Sequence, residues 1–254
     1  MLKRILSLLF LFVIGVSGTE LDDGISAYQN RGTGSIGIRA ESKYIDQAIQ
    51  LLELASTVDM MEEEATLYLL RSYYYKGTFV LESEDARKAE YNKGKKLGEK
   101  MISKYPESAD IRYWYLTCLG KWAEVYGILT AAKEGVAGQM KHHSEKMIEL
   151  DDQVENGGGY FMLGAVHYKS PYIPLLLSWP DNDEAIRWLT KAVDTGRATP
   201  VQKNYLARAL FKDGQKNEAI RLVKSVASTP PNPDFLVEER FEISEAKKLL
   251  NEFE

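Results

Sequence analysis

The sequence predicts an all-α protein, a solenoid of antiparallel helical hairpins with about ten helices and a capping helix at the C-terminus. Three observations predict it. From Tyr44 onward, apolar residues recur every three or four positions, the spacing of a single buried helix face. Short connections containing Gly or Pro separate these segments and bring neighbours together as antiparallel pairs. Ala185 and Ala219 hold equivalent places in two such pairs 34 residues apart, so the pairs repeat.

The N-terminus carries a targeting pattern. Residues 1–18, MLKRILSLLFLFVIGVSG, have a basic start at Lys3 and Arg4, an apolar run from Ile5 to Val16, and small residues at Val16, Ser17 and Gly18. That is a signal peptide with cleavage expected after Gly18. Retention as a membrane anchor is the alternative, although a spanning helix needs roughly 20 apolar residues. No cysteine lies near the cleavage point, so processing as a lipoprotein is excluded, and the expected location is exported and periplasmic. Residues 19–43 contain Gly and Ser and read as a loop or irregular segment, or a frayed helix.

Residues 44–254 read as one helical domain. The first helix, 44–55, places Ile45, Ala48, Ile49, Leu52 and Ala55 on one face. Glu62, Glu63 and Glu64 open a helix over 62–79, where negative charge suits the helix dipole. A third covers 83–104 and stops before Pro106; Ser108 reads as the N-cap of a fourth, ending at Tyr126. A fifth spans 129–150, and Gly157, Gly158 and Gly159 then break the chain. Shorter helices follow over 160–168, 183–194, 200–212 and 216–228, and a last one over 235–253 with Ala246, Leu249, Leu250 and Phe253 on one face. Only the apolar piece 172–177 has strand character.

The hairpins carry a tetratricopeptide-like signature. Tyr160, Leu163, Gly164 and His167 fit its first helix, and Ala185, Leu189 and Ala192 its second. The next unit has Leu206, Ala207 and Leu210, then Gly214, Ala219, Val223 and Val226, with Pro230 and Pro231 after them. Small residues let paired helices cross closely while large ones fill the groove beside them. Toward the N-terminus the matches loosen, to Ala48, Leu52 and Ala55 and to Gly94, Gly98 and Met101.

Composition and motifs exclude most chemistry. The chain of 254 residues has net charge −5 and 44% hydrophobic residues, an ordinary globular balance. Its Lys and Arg are interspersed with acidic residues, which argues against a nucleic-acid partner. Gly32, Gly34 and Gly37 match the spacing GxGxxG, but no strand precedes them and no βαβ unit surrounds them. His142 and His143 are adjacent and point to different helix faces, so with His167 they do not form a zinc-ligand pattern. Asp151, Asp152, Asp181 and Asp183 read as helix ends and caps. The single cysteine, Cys118, lies among Tyr115, Leu116 and Leu119 and reads as a small buried apolar residue. No catalytic, cofactor or metal site is expected, and the chain is not expected to be an enzyme.

Two features exceed a plain helical core. Tyr113, Trp114, Tyr115, Trp122 and Tyr126 share one helix, with Tyr160, Phe161 and Tyr168 on another nearby. Residues 115, 119, 122 and 126 follow a core stripe, whereas Tyr113 and Trp114 fall off it and suit a ligand cleft. The insertion 170–180, with three prolines, Tyr172 and Trp179, either folds back over the helix ends or edges a pocket or partner surface. Repeat arrays bind peptides on a concave face built from first helices, which here places Asn204, Arg208, Phe211 and Lys212 toward a groove in the last repeat. The candidate ligand or partner surface is therefore Tyr113, Trp114, Trp122, Tyr126, Phe161, Tyr168, Trp179, Asn204, Arg208, Phe211 and Lys212.

The block from Ile111 to Gly127, IRYWYLTCLGKWAEVYG, is followed by a long helix ending at Met147–Asp151. Then come Gly159–Gly164, the proline-bearing insertion and the repeat opening at Asp183. This order resembles the T component of the tripartite ATP-independent periplasmic (TRAP) transporters, and is similar to the eukaryotic regulators of microtubule dynamics over the same stretch, roughly residues 45 to 250. The resemblance implies a periplasmic, non-catalytic accessory protein of a solute uptake system, partnered by a solute-binding protein and handling a hydrophobic small molecule. A general scaffold for protein–protein interactions in the cell envelope is the alternative. A second copy of the chain, as homo-oligomer, is a further expected partner.

Overall fold

The computed structural model describes residues 19–173, 175 and 177–254. The signal segment expected over 1–18 lies outside the described residues. Within them the chain is all helix and turn, apart from two isolated antiparallel bridges, Ile36 with Arg39 and Ile173 with Leu177. No helix among the described residues is long and apolar enough to cross a membrane.

The described part of α1 runs over 19–29, where the sequence suggests a loop or a frayed helix. It holds because Leu21, Ala27 and Tyr28 are buried and Gly24 lies close against Leu52 of the next helix. A glycine in the middle of the buried face hides the periodicity that marks the other helices. After turns over 30–42 come α2 (Lys43–Ala55), α3 (Glu62–Tyr75), a π-helical turn (Lys76–Val80), α4 (Glu84–Lys104) and α5 (Ala109–Tyr126). Then follow α6 (Ile128–Lys133), α7 (Val136–Leu150), α8 (Gly158–Lys169), α9 (Asn182–Asp194), α10 (Pro200–Lys212), α11 (Lys216–Ser228) and α12 (Leu236–Phe253).

Two boundaries differ from the sequence reading. The helix expected over 129–150 is divided into α6 and α7 at Gly135, whose φ of 64° is left-handed and breaks the helical run. The helix expected over 62–79 ends as α-helix at Tyr75, and its last turn widens to π so that Phe79 is buried. Caps fix several starts. Ser83 accepts from the Ala86 N–H, and Asp181 accepts from the Asp183 and Glu184 N–H groups. Gln202 reaches back to accept from the Thr199 N–H, with Pro200 opening α10. Ser108 precedes α5 as expected but makes no side-chain cap bond.

Consecutive helices pack as hairpins, α3, α5, α8 and α10 touch in series to form one wall of the solenoid, and α12 packs on α10 and α11. The signature glycine Gly164 shows why the hairpins need small residues. A Cβ there would sit 2.6 Å from Leu189 Cγ and 2.9 Å from the Leu189 backbone nitrogen.

One core runs from α4 through α12, and a second is built from α1, α2, α3 and the π turn. Helix α12 belongs to both. Ala246, Leu249 and Phe253 pack into the first and Val237 into the second. The C-terminal helix therefore caps the last repeat, as its apolar face predicts, and also reaches the first elements of the chain.

Candidate functional site

On α12, Glu238, Glu242 and Glu245 are spaced by four and three residues, which puts them on one face of the helix. Each meets a partner from elsewhere in the chain. Glu238 pairs with Arg31 at 2.7 Å; Arg31 is 4% exposed and also donates to the Tyr28 and Asp234 carbonyls. Glu242 accepts from the Asn204 side chain at 2.8 Å, while the same Asn204 nitrogen reaches the Glu242 carbonyl at 2.9 Å. Glu245 pairs with Arg208 at 3.0 Å. Phe241 meets Phe79 with centroids 5.9 Å apart, and Arg240 reaches Ser35 and Gly37. These contacts lay α12 along the wall of first helices, from α10 to the end of α1.

Aromatic residues line the same wall. Tyr74 of α3 packs on Trp114 of α5 at 5.7 Å, and Tyr113 packs on Trp114 at 5.4 Å. Arg71 lies 5.2 Å from the Trp114 ring and pairs at 2.7 Å with Glu155, which also accepts from the Trp114 indole N–H. Further along, Tyr205 of α10 packs on Phe161 at 5.3 Å and Tyr168 at 6.1 Å. Glu124 bridges Lys121 and Lys169 beside them.

Burial and neighbouring charge shift several of these groups. Burial raises the Tyr74 hydroxyl pKa well above its ordinary value, and the Glu242 charge adds to it. Burial pushes Tyr205 up to about 12, with Lys121 opposing and Glu124 and Glu242 also felt. Burial raises the Glu242 carboxyl, against the Asn204 hydrogen bond and the charges of Arg208 and Lys121. The charge of Glu242 is thus felt by tyrosines of both α3 and α10. Lys121 retains 26% of its side-chain surface, yet burial weighs most among the causes acting on it; Glu124 and Tyr205 outweigh that cost and raise its pKa.

Where α8, α10 and α12 meet, a cleft of ≈ 380 Å³ opens beside Tyr168, Arg208, Phe211, Lys212, Leu249 and Phe253. Phe211 stacks on Phe253 at 4.0 Å with the rings 8° from parallel, and Lys212 lies 5.7 Å from the Tyr168 ring.

The residues singled out in the sequence fall in five places. Tyr113 and Trp114 line the inner wall, and Phe161 is buried behind Tyr205. Tyr168, Arg208, Phe211 and Lys212 share the cleft. Asn204, expected at a groove of the last repeat, is 0% exposed and lies beneath α12. Trp122 and Tyr126 stack at 4.5 Å and bond to Asn92 of α4, so they serve that hairpin and not the cleft. Trp179 packs on His167 at 4.9 Å, folding one end of the insertion back, while Tyr172 and Leu175 stay exposed.

The sequence reading missed Tyr74, Tyr205, Lys121 and the α12 glutamates. The glutamate spacing was visible, but the partner of Glu238 lies 207 residues away.

Residues 32–37 form turns, and His143 bonds Arg112 at 2.7 Å. Cys118 is fully buried, as expected, and its thiol pKa is raised by that burial. Among the described residues no three His, Cys, Asp or Glu side chains are grouped to hold a metal ion.

The model of the family described as regulator of microtubule dynamics protein 1-3 matches residues 38–174, just over half of the chain. A crystal structure of a thermophilic tetratricopeptide-repeat protein from Thermus thermophilus superposes with a TM-score of 0.61 at 16% identity. That superposition covers 91% of this chain and 99% of the other, and it shows the shared fold. None of the curated proteins compared matches the sequence.

Proposed function

The chain belongs to the regulator of microtubule dynamics protein 1-3 family, and from that premise we propose that it is a non-catalytic scaffold that binds a protein partner on the inner wall of its first helices. The carrying observation is the wall itself: Tyr74, Tyr113, Trp114 and Tyr205 stand with charged neighbours along the row of helices α3, α5, α8 and α10. Aromatic anchors beside a few fixed charges are the composition of protein and ligand contact sites. Tetratricopeptide-like arrays present such a surface to peptides and helices.

The test is site-specific photo-crosslinking. A photoreactive residue at Trp114 is expected to capture a partner, and the same residue at the exposed Leu129 is not. Equal capture from both positions, or from neither, contradicts the reading.

A finer reading is that the partner is the solute-binding protein of a TRAP-type uptake system, met in the periplasm, with an apolar small molecule as shared cargo. The Tyr113–Trp114–Tyr115 block and the apolar N-terminal segment support it. Co-expression with a solute-binding protein and mass spectrometry of the purified chain test it. A complex or a retained apolar ligand is expected; failure to find either, with good expression of both proteins, counts against it.

A further inference from the structure

Helix α12 is seated as a ligand is seated. The apolar face made by Ala246, Leu249 and Phe253 already caps the last repeat. Its second face is a row of carboxylates, and each carboxylate is held by a group on another element: Arg31 at the end of α1, Asn204 and Arg208 on α10. Like α9 and α11, α12 fully buries only apolar side chains, and its three carboxylates are half-buried beside them. Half-buried charge is costly unless it is paired, so these three partners are what hold the acidic face in its seat.

The seat is also incomplete. Asn204 Oδ1 is buried and has no hydrogen-bond partner, so the groove offers an acceptor that the Glu242 carboxylate cannot use. A seven-residue tether, 229–235, with prolines at 230, 231 and 233, joins α12 to α11 as the last element.

We propose that the inner wall is a receptor for an acidic amphipathic helix and that α12 is its resident occupant. A partner helix with acidic side chains at the same four- and three-residue spacing takes its place, most tightly with an amide at the middle position to satisfy Asn204. This rests on the protein-binding reading above and supplies the class of partner. A tether this short holds α12 at an effective concentration on the order of millimolar, so a free helix competes only when it binds better or when α12 is loosened.

The probe is a fluorescein-labelled peptide of residues 229–254, titrated into the full chain. Glu238→Lys with Glu245→Lys loosens α12 while leaving Arg31, Asn204 and Arg208 in place. The loosened chain is expected to bind the peptide about ten-fold more tightly than the unmodified chain, because more of it is open. Adding Arg208→Glu to the loosened chain is expected to abolish that gain, and a peptide carrying Glu242→Gln is expected to bind more tightly. No binding by a loosened chain that keeps its helical circular dichroism, or binding indifferent to Arg208, overturns the proposal.

Hydrogen exchange on the unmodified chain tests it without substitution. Amides of α12 should exchange ahead of those of α10 and α11, and faster as salt is raised. Protection of α12 equal to α10 at all salt concentrations overturns it. If the peptide fails while Trp114 still captures a partner, only the acidic-helix assignment falls.

Discussion

At the scale of single residues, the fold depends on a few close approaches and fixed charges. Gly164 admits no side chain beside the Leu189 backbone. Gly164→Val should therefore destabilise the chain by about 2 kcal/mol or more through overpacking, read as a lower midpoint in urea. His143 gives a pH dependence. Its desolvation, with Arg112 and His142 beside it, lowers its pKa from 6.5 to about 4. The unfolded chain then takes the proton first, so this contribution is intact at neutral pH and declines as pH falls from about 6.5 toward about 4. His143→Gln should flatten the stability profile across that window; an unchanged profile contradicts the assignment. The signature residues Leu163, Gly164, Ala185 and Leu189 were legible in the sequence, because their roles are local to one hairpin. The Arg112–His143 pair was not, because it depends on how α5 and α7 pack.

At the scale of elements, burial separates the helices that hold the fold from those that decorate it. Helix α6 has no buried residue, with Ile128 and Leu129 exposed. Ala131→Pro in α6 should cost less than about 1 kcal/mol, because the turn can melt locally, whereas Ala165→Pro in α8 should prevent folding. Circular dichroism melts of both variants check this. Arg31 is the counterpart at the other extreme. It is buried, paired with Glu238, and stacked 4.4 Å from the Tyr28 ring. Arg31→Ala should cost about 2 kcal/mol, since it removes a buried stacked guanidinium and leaves a half-buried carboxylate without its partner, read as a lower midpoint in urea. Helical periodicity made α2 to α5 and α8 to α12 readable almost to their ends. It failed at α1, where Gly24 stands in the buried face, and at Gly135, where positive φ splits α6 from α7.

At the scale of the whole molecule, the finding that sequence pattern did not foreshadow is closure. The first and last described elements meet, through Arg31 with Glu238 and Phe79 with Phe241. Periodicity reports which face of a helix is buried and says nothing of which distant helix buries it. Where a groove is expected around Asn204, Arg208, Phe211 and Lys212, α12 is therefore seated, and what stays open is the cleft beside Tyr168. An account in which α12 occupies the inner wall requires residues 35 and 240 to be neighbours in solution, as the Arg240–Ser35 contact places them. The direct measurement is cross-linking of the Ser35→Cys, Arg240→Cys variant with a short bismaleimide, the native Cys118 being buried. An intramolecular 35–240 link is expected in most molecules at low protein concentration; no link, or links only between molecules, would mean that α12 does not lie where these contacts place it.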